Sequence, residues 1–248
     1  MRLNGKTAIV TGGASGFGAG IVRKFVEEGA KVMIADLNGD GARALASEIG
    51  AAALAQAVDV SSGTSVNEMA AAALSAFGHV DILVNNAGIT HLPKPMEEVT
   101  EEEFDRVYAV NMKSVYLTAR ALAPHMKSRG AGAILNVAST AGLSPRPRLN
   151  WYNASKGWMI TATKTMAVEL APEGVRVNAI CPVAGETPLL KSFMGEDTPE
   201  MRAKFLSTIP IGRFSTPQDM GNAACFLCSD EASMVTGVAM EVDGGRCI

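Results

Sequence analysis

The sequence has few of the residues that mark special structural classes. Four cysteines in 248 residues are too few and too unevenly spaced for a disulfide scaffold. Three histidines are scattered without ligand spacing, so we expect no metal. No apolar run reaches the roughly 18 residues that a membrane-spanning helix needs, and the N-terminus lacks the apolar region of a secretory signal. We therefore expect a cytoplasmic protein with no membrane partner.

An excess of charge of one sign is also missing. The chain carries 22 basic and 25 acidic residues, a formal net charge of −3, and the basic residues form no cluster. A nucleic-acid-binding domain normally shows a clustered basic surface, so we exclude nucleic acid as a partner. Cys225 and Cys228 form a C-x-x-C pair, but they lie on an apolar helical stripe, which favours packing over redox chemistry.

Glycine, by contrast, is abundant: 25 residues, about a tenth of the chain. The length fits two small domains or one large α/β domain. Short apolar runs alternate with helical patterns, such as the helix predicted over 18–28, and no linker interrupts them. The predicted strands are 7–10, 31–35, 53–58, 81–84, 133–137, 176–180 and 238–242. The pattern predicts one α/β domain over 1–248, a Rossmann-type, doubly wound, seven-stranded parallel sheet with helices on both faces (three layers). A lid is predicted at about 182–216.

A glycine-rich turn over 11–18 joins the first strand to the first helix. A dinucleotide pyrophosphate must approach the backbone closely and meet the positive N-terminal end of a helix. The turn therefore predicts cofactor contacts, and its candidate residues are Gly12, Ser15, Gly16, Phe17 and Gly18.

The second strand ends at Asp36, 20 residues beyond Gly16. An acid at this distance typically accepts hydrogen bonds from the adenosine ribose, and the same carboxylate repels a 2′-phosphate. Neither Ser15 nor Leu37 supplies a cation for such a phosphate. We therefore predict NAD as the cofactor, bound in part by Asp36 and Leu37, with NADP disfavoured.

By these motifs, and by others further along the chain, residues 5–245 resemble the classical short-chain dehydrogenase/reductase family. Asp59 and Val60 resemble its adenine-contacting pair. Asn85-Asn86-Ala87-Gly88 resembles the segment that stabilises the central sheet, and Asn86, Ala87 and Gly88 are its candidate cofactor contacts. The resemblance further implies an active site composed of Asn111, Ser139, Tyr152 and Lys156, with Asn111 holding a water of the proton relay.

The chemistry of these residue types agrees with the implied roles. Tyr152 and Lys156 are four residues apart, so on a helix they share one face. The resemblance implies that both also contact the cofactor. An adjacent ammonium should lower the pKa of the tyrosine and let it exchange the alcohol proton. Ser139 closes the fifth strand, where its hydroxyl can bind the substrate oxygen.

The loop after the sixth strand departs from the family pattern. Val183 stands where the family commonly has glycine after Pro182, and a β-branched residue does not adopt positive φ cheaply. We expect a different backbone path, with Pro182, Val183, Gly185 and Thr187 still beside the cofactor.

Basic residues are expected near the substrate. They are His91, Lys94, Arg146 and Arg148, of which His91, Arg146 and Arg148 are the substrate candidates. They indicate either a polar or anionic substrate or merely solvated loop charges; proline flanks both arginines, which favours the second interpretation.

Three functions remain open. The first is an NAD-dependent oxidoreductase acting on a secondary alcohol or ketone, with a small polar substrate of the hydroxy acid, polyol or sugar type. The second is a 3-oxoacyl-thioester (acyl-carrier-protein) reductase that uses NADPH. The third is a non-catalytic nucleotide-binding sensor.

Family resemblance also implies a homotetramer built on helices around 102–129 and 153–171. Apolar residues on these helices support it: Met112, Val115, Tyr116, Trp158, Met159 and Met166.

Overall fold

One seven-stranded sheet organises the chain. The computed structural model describes all residues, 1–248. The strands are β1 (Thr7–Thr11), β2 (Lys31–Asp36), β3 (Ala53–Ala57), β4 (Ile82–Asn85), β5 (Gly132–Val137), β6 (Val175–Pro182) and β7 (Ala239–Val242). They are ordered β3-β2-β1-β4-β5-β6-β7 and every neighbouring pair is parallel. The predicted fold class is confirmed, and each predicted strand overlaps an observed one.

Burial on both faces explains why the strands are readable in the sequence. All five residues of β1 are buried, as expected for a parallel sheet covered on both sides. The helices are α1 (Gly16–Glu27), α2 (Gly39–Ile49), α3 (Gly63–Phe77), α4 (Glu101–Tyr108), α5 (Ser114–Arg129), α6 (Asn150–Leu170), α7 (Leu190–Met194), α8 (Pro199–Leu206) and α9 (Pro217–Cys228). Helices α1, α2 and α9 pack on one face of the sheet, and α3, α5 and α6 on the other. None of the helices has both the length and the hydropathy needed to cross a membrane.

A buried chain of polar side chains links the central layers. Thr118 on α5 donates to Asn85 at 2.8 Å, and Asn85 donates to Asn136 of β5 at 2.9 Å. Asn136 in turn donates to Thr163 of α6 at 2.8 Å. Because these groups are satisfied by one another, they fix the register of β4 and β5 against both helices.

The segment over 182–216 has a small apolar cluster of its own. Val183, Leu190, Met194, Ile209 and Phe214 are buried together, with helices α7 and α8 around them. This cluster lies beyond the carboxyl end of β6, the side of the sheet on which α/β folds bind ligands.

Candidate active site

A cavity of about 470 Å³ lies at the carboxyl ends of the central strands. It is lined by all the residues predicted to contact a cofactor: Gly12, Ser15, Gly16, Phe17, Gly18, Asp36, Leu37, Asp59, Val60, Asn86, Ala87, Gly88, Tyr152, Lys156, Pro182, Val183, Gly185 and Thr187. The strand order reverses between β1 and β4, so the cavity occupies the usual ligand position of a doubly wound sheet.

The glycine turn brings bare backbone to the cavity. Gly12 and Gly16 have φ of 61° and 52°, values that side chains disfavour. A Cβ on Gly18 would lie 2.1 Å from the Gly12 carbonyl oxygen. Ser15 begins α1 without a side-chain capping bond, so the first amides of this helix have no side-chain acceptor and suit a phosphate. The turn therefore fits the pyrophosphate of a dinucleotide.

Asp36 lines the cavity at the end of β2, where the sequence predicts the adenosine of the cofactor. Its carboxylate accepts hydrogen bonds from the backbone N–H of Ala14 and of Asn38, both at 2.9 Å. Asp36 therefore also holds the glycine turn in place, a role that its position in the sequence did not indicate. Leu37 beside it is 77% exposed and offers no positive charge.

Two further segments shape this half of the cavity. Asn86 donates to the carbonyl oxygens of Thr11 and Gly12 at 2.8 and 2.9 Å, which ties β4 to the glycine turn. Asp59 accepts hydrogen bonds from the Ser61 hydroxyl and amide, and these bonds lower the pKa of the Asp59 carboxyl. Both arrangements agree with the predicted positions of these residues beside a cofactor.

Ser139, Tyr152 and Lys156 meet at the other end of the cavity. Ser139 lies two residues beyond the end of β5, rather than closing the strand as predicted, and it accepts a hydrogen bond from the Ala141 amide at 3.1 Å. Tyr152 and Lys156 project from the first turns of α6. Burial raises the pKa of Tyr152 to about 12, with hydrogen bonding by Ser139 acting in the opposite direction. The predicted lowering of this pKa by Lys156 does not occur in the chain alone, because desolvation dominates.

Lys156 is almost completely buried. Its ammonium donates to the Val137 carbonyl oxygen at 2.8 Å and lies 5.9 Å from the centre of the Tyr152 ring. Burial lowers the pKa of Lys156 to about 8. The site thus holds a desolvated cation beside a desolvated phenol, an arrangement in which any additional positive charge near the phenol favours its ionised form.

Asn111 is fully buried and does not line the cavity. Its side chain donates to the Ile89 carbonyl oxygen and to the Ser155 hydroxyl, and it accepts from the Ile89 amide. It sits in a π-helical turn (Ala109–Lys113) between α4 and α5. The side chain therefore fixes the loop after β4, and the relay role implied by the resemblance stays a prediction.

The loop after β6 reaches the glycine turn from the other side. Val183 does not have positive φ, and it is buried in the apolar cluster of 182–216. A Cβ on Gly185 would lie 2.3 Å from the Phe17 ring, and a Cβ on Gly16 would lie 3.2 Å from Thr187. The two loops therefore close over the middle of the cavity.

Only one of the three basic substrate candidates lines this cavity. Arg146 does, and it stacks on Phe205 with 4.4 Å between its guanidinium carbon and the ring centre. His91 lines a separate pocket, with its Nδ1 2.9 Å from the Leu92 carbonyl oxygen. Arg148 is exposed outside the cavity, at φ 68°. The expected contact of His91 and Arg148 with substrate is thus not supported, because His91 faces a different pocket and Arg148 is exposed.

Lys94, the fourth basic residue expected near the mouth, is bound to Glu103 at 2.8 Å. Of the four basic residues expected near the substrate, only Arg146 therefore adds positive charge to the cavity lining.

Comparisons with known proteins agree with this geometry. A family model described as enoyl-(acyl carrier protein) reductase matches residues 12–246. A 4-formylbenzenesulfonate dehydrogenase of Comamonas testosteroni is 53% identical over 252 residues, covering 100% of both chains. A 2,5-dichloro-2,5-cyclohexadiene-1,4-diol dehydrogenase of Sphingobium indicum is 40% identical, covering 98% of this chain and 97% of the relative. The crystal structure of a 3-ketoacyl-(acyl-carrier-protein) reductase from Brucella melitensis complexed with NADH has a TM-score of 0.95 and 54% identity, covering 99% of this chain and 100% of that one.

The chain belongs to the classical short-chain dehydrogenase/reductase family. As a member of this family it is an oxidoreductase that uses a nicotinamide cofactor and acts on CH–OH groups of small molecules. When bound, such a cofactor accepts or supplies a hydride at the substrate carbon.

The substrate end of this short-chain dehydrogenase/reductase also contains residues that sequence reasoning missed. They are Leu149, Asn153, Leu189, Phe193 and Phe205. The Phe193 ring lies 5.1 Å from the Tyr152 ring in an edge-on contact. Phe193 and Phe205 come from α7 and α8, where the sequence shows only a weak helical pattern, so no motif spacing could have found them. Asn153 had a signal, since it directly follows Tyr152.

Proposed function

We propose that the protein is an NAD-dependent dehydrogenase of small alcohols that bear a polar or anionic group. The observation that carries this proposal is the meeting of Ser139, Tyr152 and Lys156 at one end of a cavity whose other end contains Asp36. Ser139 would hold the substrate oxygen, Tyr152 would take up or return the hydroxyl proton, and Lys156 would stabilise the phenolate.

Tyr152→Phe tests this assignment because it removes only the hydroxyl that exchanges the proton. We expect loss of hydride transfer, measured as NADH absorbance, with the Kd for NAD within a few-fold of wild type. A variant that keeps wild-type turnover would contradict the role of Tyr152. If the wild-type protein binds NAD but oxidises no member of an alcohol panel, the non-catalytic sensor becomes the better interpretation.

The preference for NAD rests on the position of Asp36 at the adenosine end. A carboxylate there repels the 2′-phosphate of NADP, and the exposed Leu37 provides no compensating cation. The NADH complex of the relative from Brucella melitensis supports the same choice.

Asp36→Asn tests the cofactor preference more cleanly than alanine does, because the amide oxygen can still accept a backbone N–H of the glycine turn. We expect the ratio of kcat/KM for NADP to that for NAD to rise about tenfold or more. Asp40→Asn is the matched control, since Asp40 is exposed and pairs with Arg43. An unchanged ratio in Asp36→Asn would refute the repulsion argument.

The residues at the substrate end of the cavity support a substrate that has an apolar body and one polar or charged group. Phe193, Phe205 and Leu149 provide apolar walls, and Arg146 provides a positive charge. The name of the relative from Comamonas testosteroni contains an anionic aromatic compound, which fits this combination.

The second candidate is a 3-oxoacyl-thioester reductase, favoured by the name of the Brucella melitensis relative. Parallel assays with alcohols, hydroxy acids and 3-oxoacyl thioesters separate the two.

We include in this proposal a lid over 182–216, a cytoplasmic location and a homotetramer. The contact of Phe193 with Tyr152 supports the lid. The free, mostly buried cysteines suit the reducing environment of the cytoplasm.

The homotetramer is supported by exposed aromatic residues. Tyr116 on α5 and Trp158 on α6 are 53% and 37% exposed, which supports an interface there. Val115 and Met159, by contrast, are buried within the chain and add nothing to it. Sedimentation velocity tests the tetramer.

A further inference from the structure

The C-terminal tail, residues 243–248, is fixed against the substrate end of the fold. Asp243 accepts hydrogen bonds from the amides of Gly245 and Cys247 at 2.9 and 2.8 Å. The carbonyl oxygen of Gly244 accepts from the Ile211 amide at 3.1 Å, and a Cβ on Gly244 would lie 2.5 Å from the Ile211 side chain. The tail therefore has a defined path along the base of the 182–216 segment.

Arg246 points from this tail toward the loop that carries Arg146. Its Nη1 lies 3.5 Å from the Ser144 hydroxyl, and its Nε is buried without a hydrogen-bond partner in the chain. Arg246 forms no salt bridge, and the Asp243 carboxylate accepts hydrogen bonds from the backbone of the tail instead. A buried guanidinium donor without an acceptor is costly and marks a place where a ligand would be stabilised.

Arg146 is likewise a cation without an acidic partner. Its backbone is held by Asn153, whose amide donates to the Arg146 carbonyl oxygen at 2.6 Å, and its guanidinium stacks on Phe205. Burial and the nearby charge of Arg246 lower the pKa of Arg146. Arg146 lines the cavity, and Arg246 lies outside this lining but near enough for its charge to act on Arg146.

We propose that Arg146 and Arg246 form an anion-binding subsite that takes a carboxylate or sulfonate on the far end of an apolar substrate. An anion between the two guanidinium groups would relieve their repulsion and accept charge-assisted hydrogen bonds from both. Asn153 follows Tyr152 directly, so the subsite stands at a fixed place relative to the hydroxyl that exchanges the proton. The tail thereby becomes a specificity element, with Arg246 as a specificity-determining residue.

This inference rests on the proposed function, and its test separates the two. The NAD-loaded enzyme is titrated by calorimetry with 4-acetylbenzoate and with the neutral 4-acetylbenzamide, ketones that oxidised cofactor leaves unreacted. Oxidation of the corresponding 4-(1-hydroxyethyl) alcohols is measured in parallel. The readout is the ratio of the two dissociation constants, which a merely structural role of the tail would not change. Ionic strength is held constant because it screens exposed charges.

We expect the wild-type enzyme to bind the carboxylate about tenfold or more tightly than the carboxamide, and Arg246→Gln to remove most of this preference. Affinity for the carboxamide and for NAD should stay close to wild type. Arg246→Lys keeps the charge but not the planar fork, so it should retain part of the preference and also covers the case in which glutamine impairs folding. Lys204→Gln, which removes an exposed charge beside Phe205, is the matched control and should retain it in full.

Absence of a carboxylate preference in the wild type, or an undiminished preference in Arg246→Gln, would overturn the subsite. An equal loss in Lys204→Gln would also overturn it, because the effect would then come from the general field of the protein. If the carboxylate binds tightly and neither alcohol is oxidised, the proposed function fails while the subsite stands.

Discussion

Lys156 is a buried cation with a proposed role in activity. We expect its replacement by an apolar residue to raise the free energy of unfolding. It is 4% exposed, and burial lowers its pKa from 10.5 to about 8. One pKa unit corresponds to about 1.4 kcal/mol, so holding this lysine protonated near pH 7 costs the folded state about 3 kcal/mol. Lys156→Met removes that cost but leaves the Val137 carbonyl oxygen without its donor, a loss of about 1–2 kcal/mol. The free energy of unfolding of the cofactor-free variant should therefore exceed that of wild type by about 1–2 kcal/mol.

The difference in the free energy of unfolding between Lys156→Met and wild type should also depend on pH. Between pH 8 and 10.5 the unfolded chain binds the Lys156 proton and the folded chain does not, so wild-type stability rises with pH across this window. Lys156→Met lacks this group, and its advantage should shrink by about 2 kcal/mol from pH 7 to pH 9.5. The Cys181 thiol also responds to Lys156, but its pKa is about 12 with the lysine present and would be higher without it, so Cys181 stays protonated in both folded proteins over this pH range. Shifts in groups that Lys156 does not influence cancel in the difference.

Urea denaturation of the cofactor-free proteins at the two pH values, at one protein concentration, measures this difference. Lys164→Met is the matched control, because Lys164 is exposed on the same helix and should show no pH-dependent change. The reasoning is refuted if Lys156→Met is less stable than wild type near pH 7 and the gap does not vary with pH.

Two further substitutions probe the two ends of the cavity. Gly18→Ala places a methyl group against the Gly12 carbonyl oxygen, so the Kd for NAD should rise about tenfold or more. Gly63→Ala is the matched control and should leave this Kd unchanged, because its Cβ would meet only a Leu117 methyl at 3.5 Å. Equal affinity in the two variants would contradict the close-approach argument. Phe193→Ala uncovers the Tyr152 ring, and because burial is the main cause of the raised pKa, that pKa should fall below about 12 in a tyrosinate absorbance titration. An unchanged titration would show that the desolvation has another source.

The fold and the cofactor half of the site follow from local sequence signals. Strands buried on both faces read as short apolar runs, as β1 does, and the glycine turn lies between one such strand and a helix. Gly16 begins α1 and Asp36 ends β2, the next element along the chain, so their spacing alone predicts that they share a cavity. The residues that line this half of the cavity could therefore be predicted from the sequence, although their detailed hydrogen bonds could not.

The substrate half depends on tertiary packing that spacing does not encode. His91 is only three residues from Gly88, yet hydrogen bonds between Asn111 and Ile89 fix the loop so that the imidazole lies in a different pocket. The pKa of Tyr152 rises because distant parts of the chain bury it, Phe193 among them. Both outcomes depend on where loops and short helices settle against the sheet, which local periodicity leaves undetermined.

The buried chain of polar side chains through Asn85 and Asn136 has a consequence for how the molecule opens. Breaking these hydrogen bonds leaves several buried polar groups unsatisfied at once. We therefore expect β4, β5, α5 and α6 to exchange their amide hydrogens only through global unfolding. The 182–216 segment, held by its own small apolar cluster, can exchange through a separate and less costly opening. The lysine and tyrosine of α6 are thus carried by the slowest-exchanging part of the protein, while the walls that meet the substrate belong to a part that can open alone.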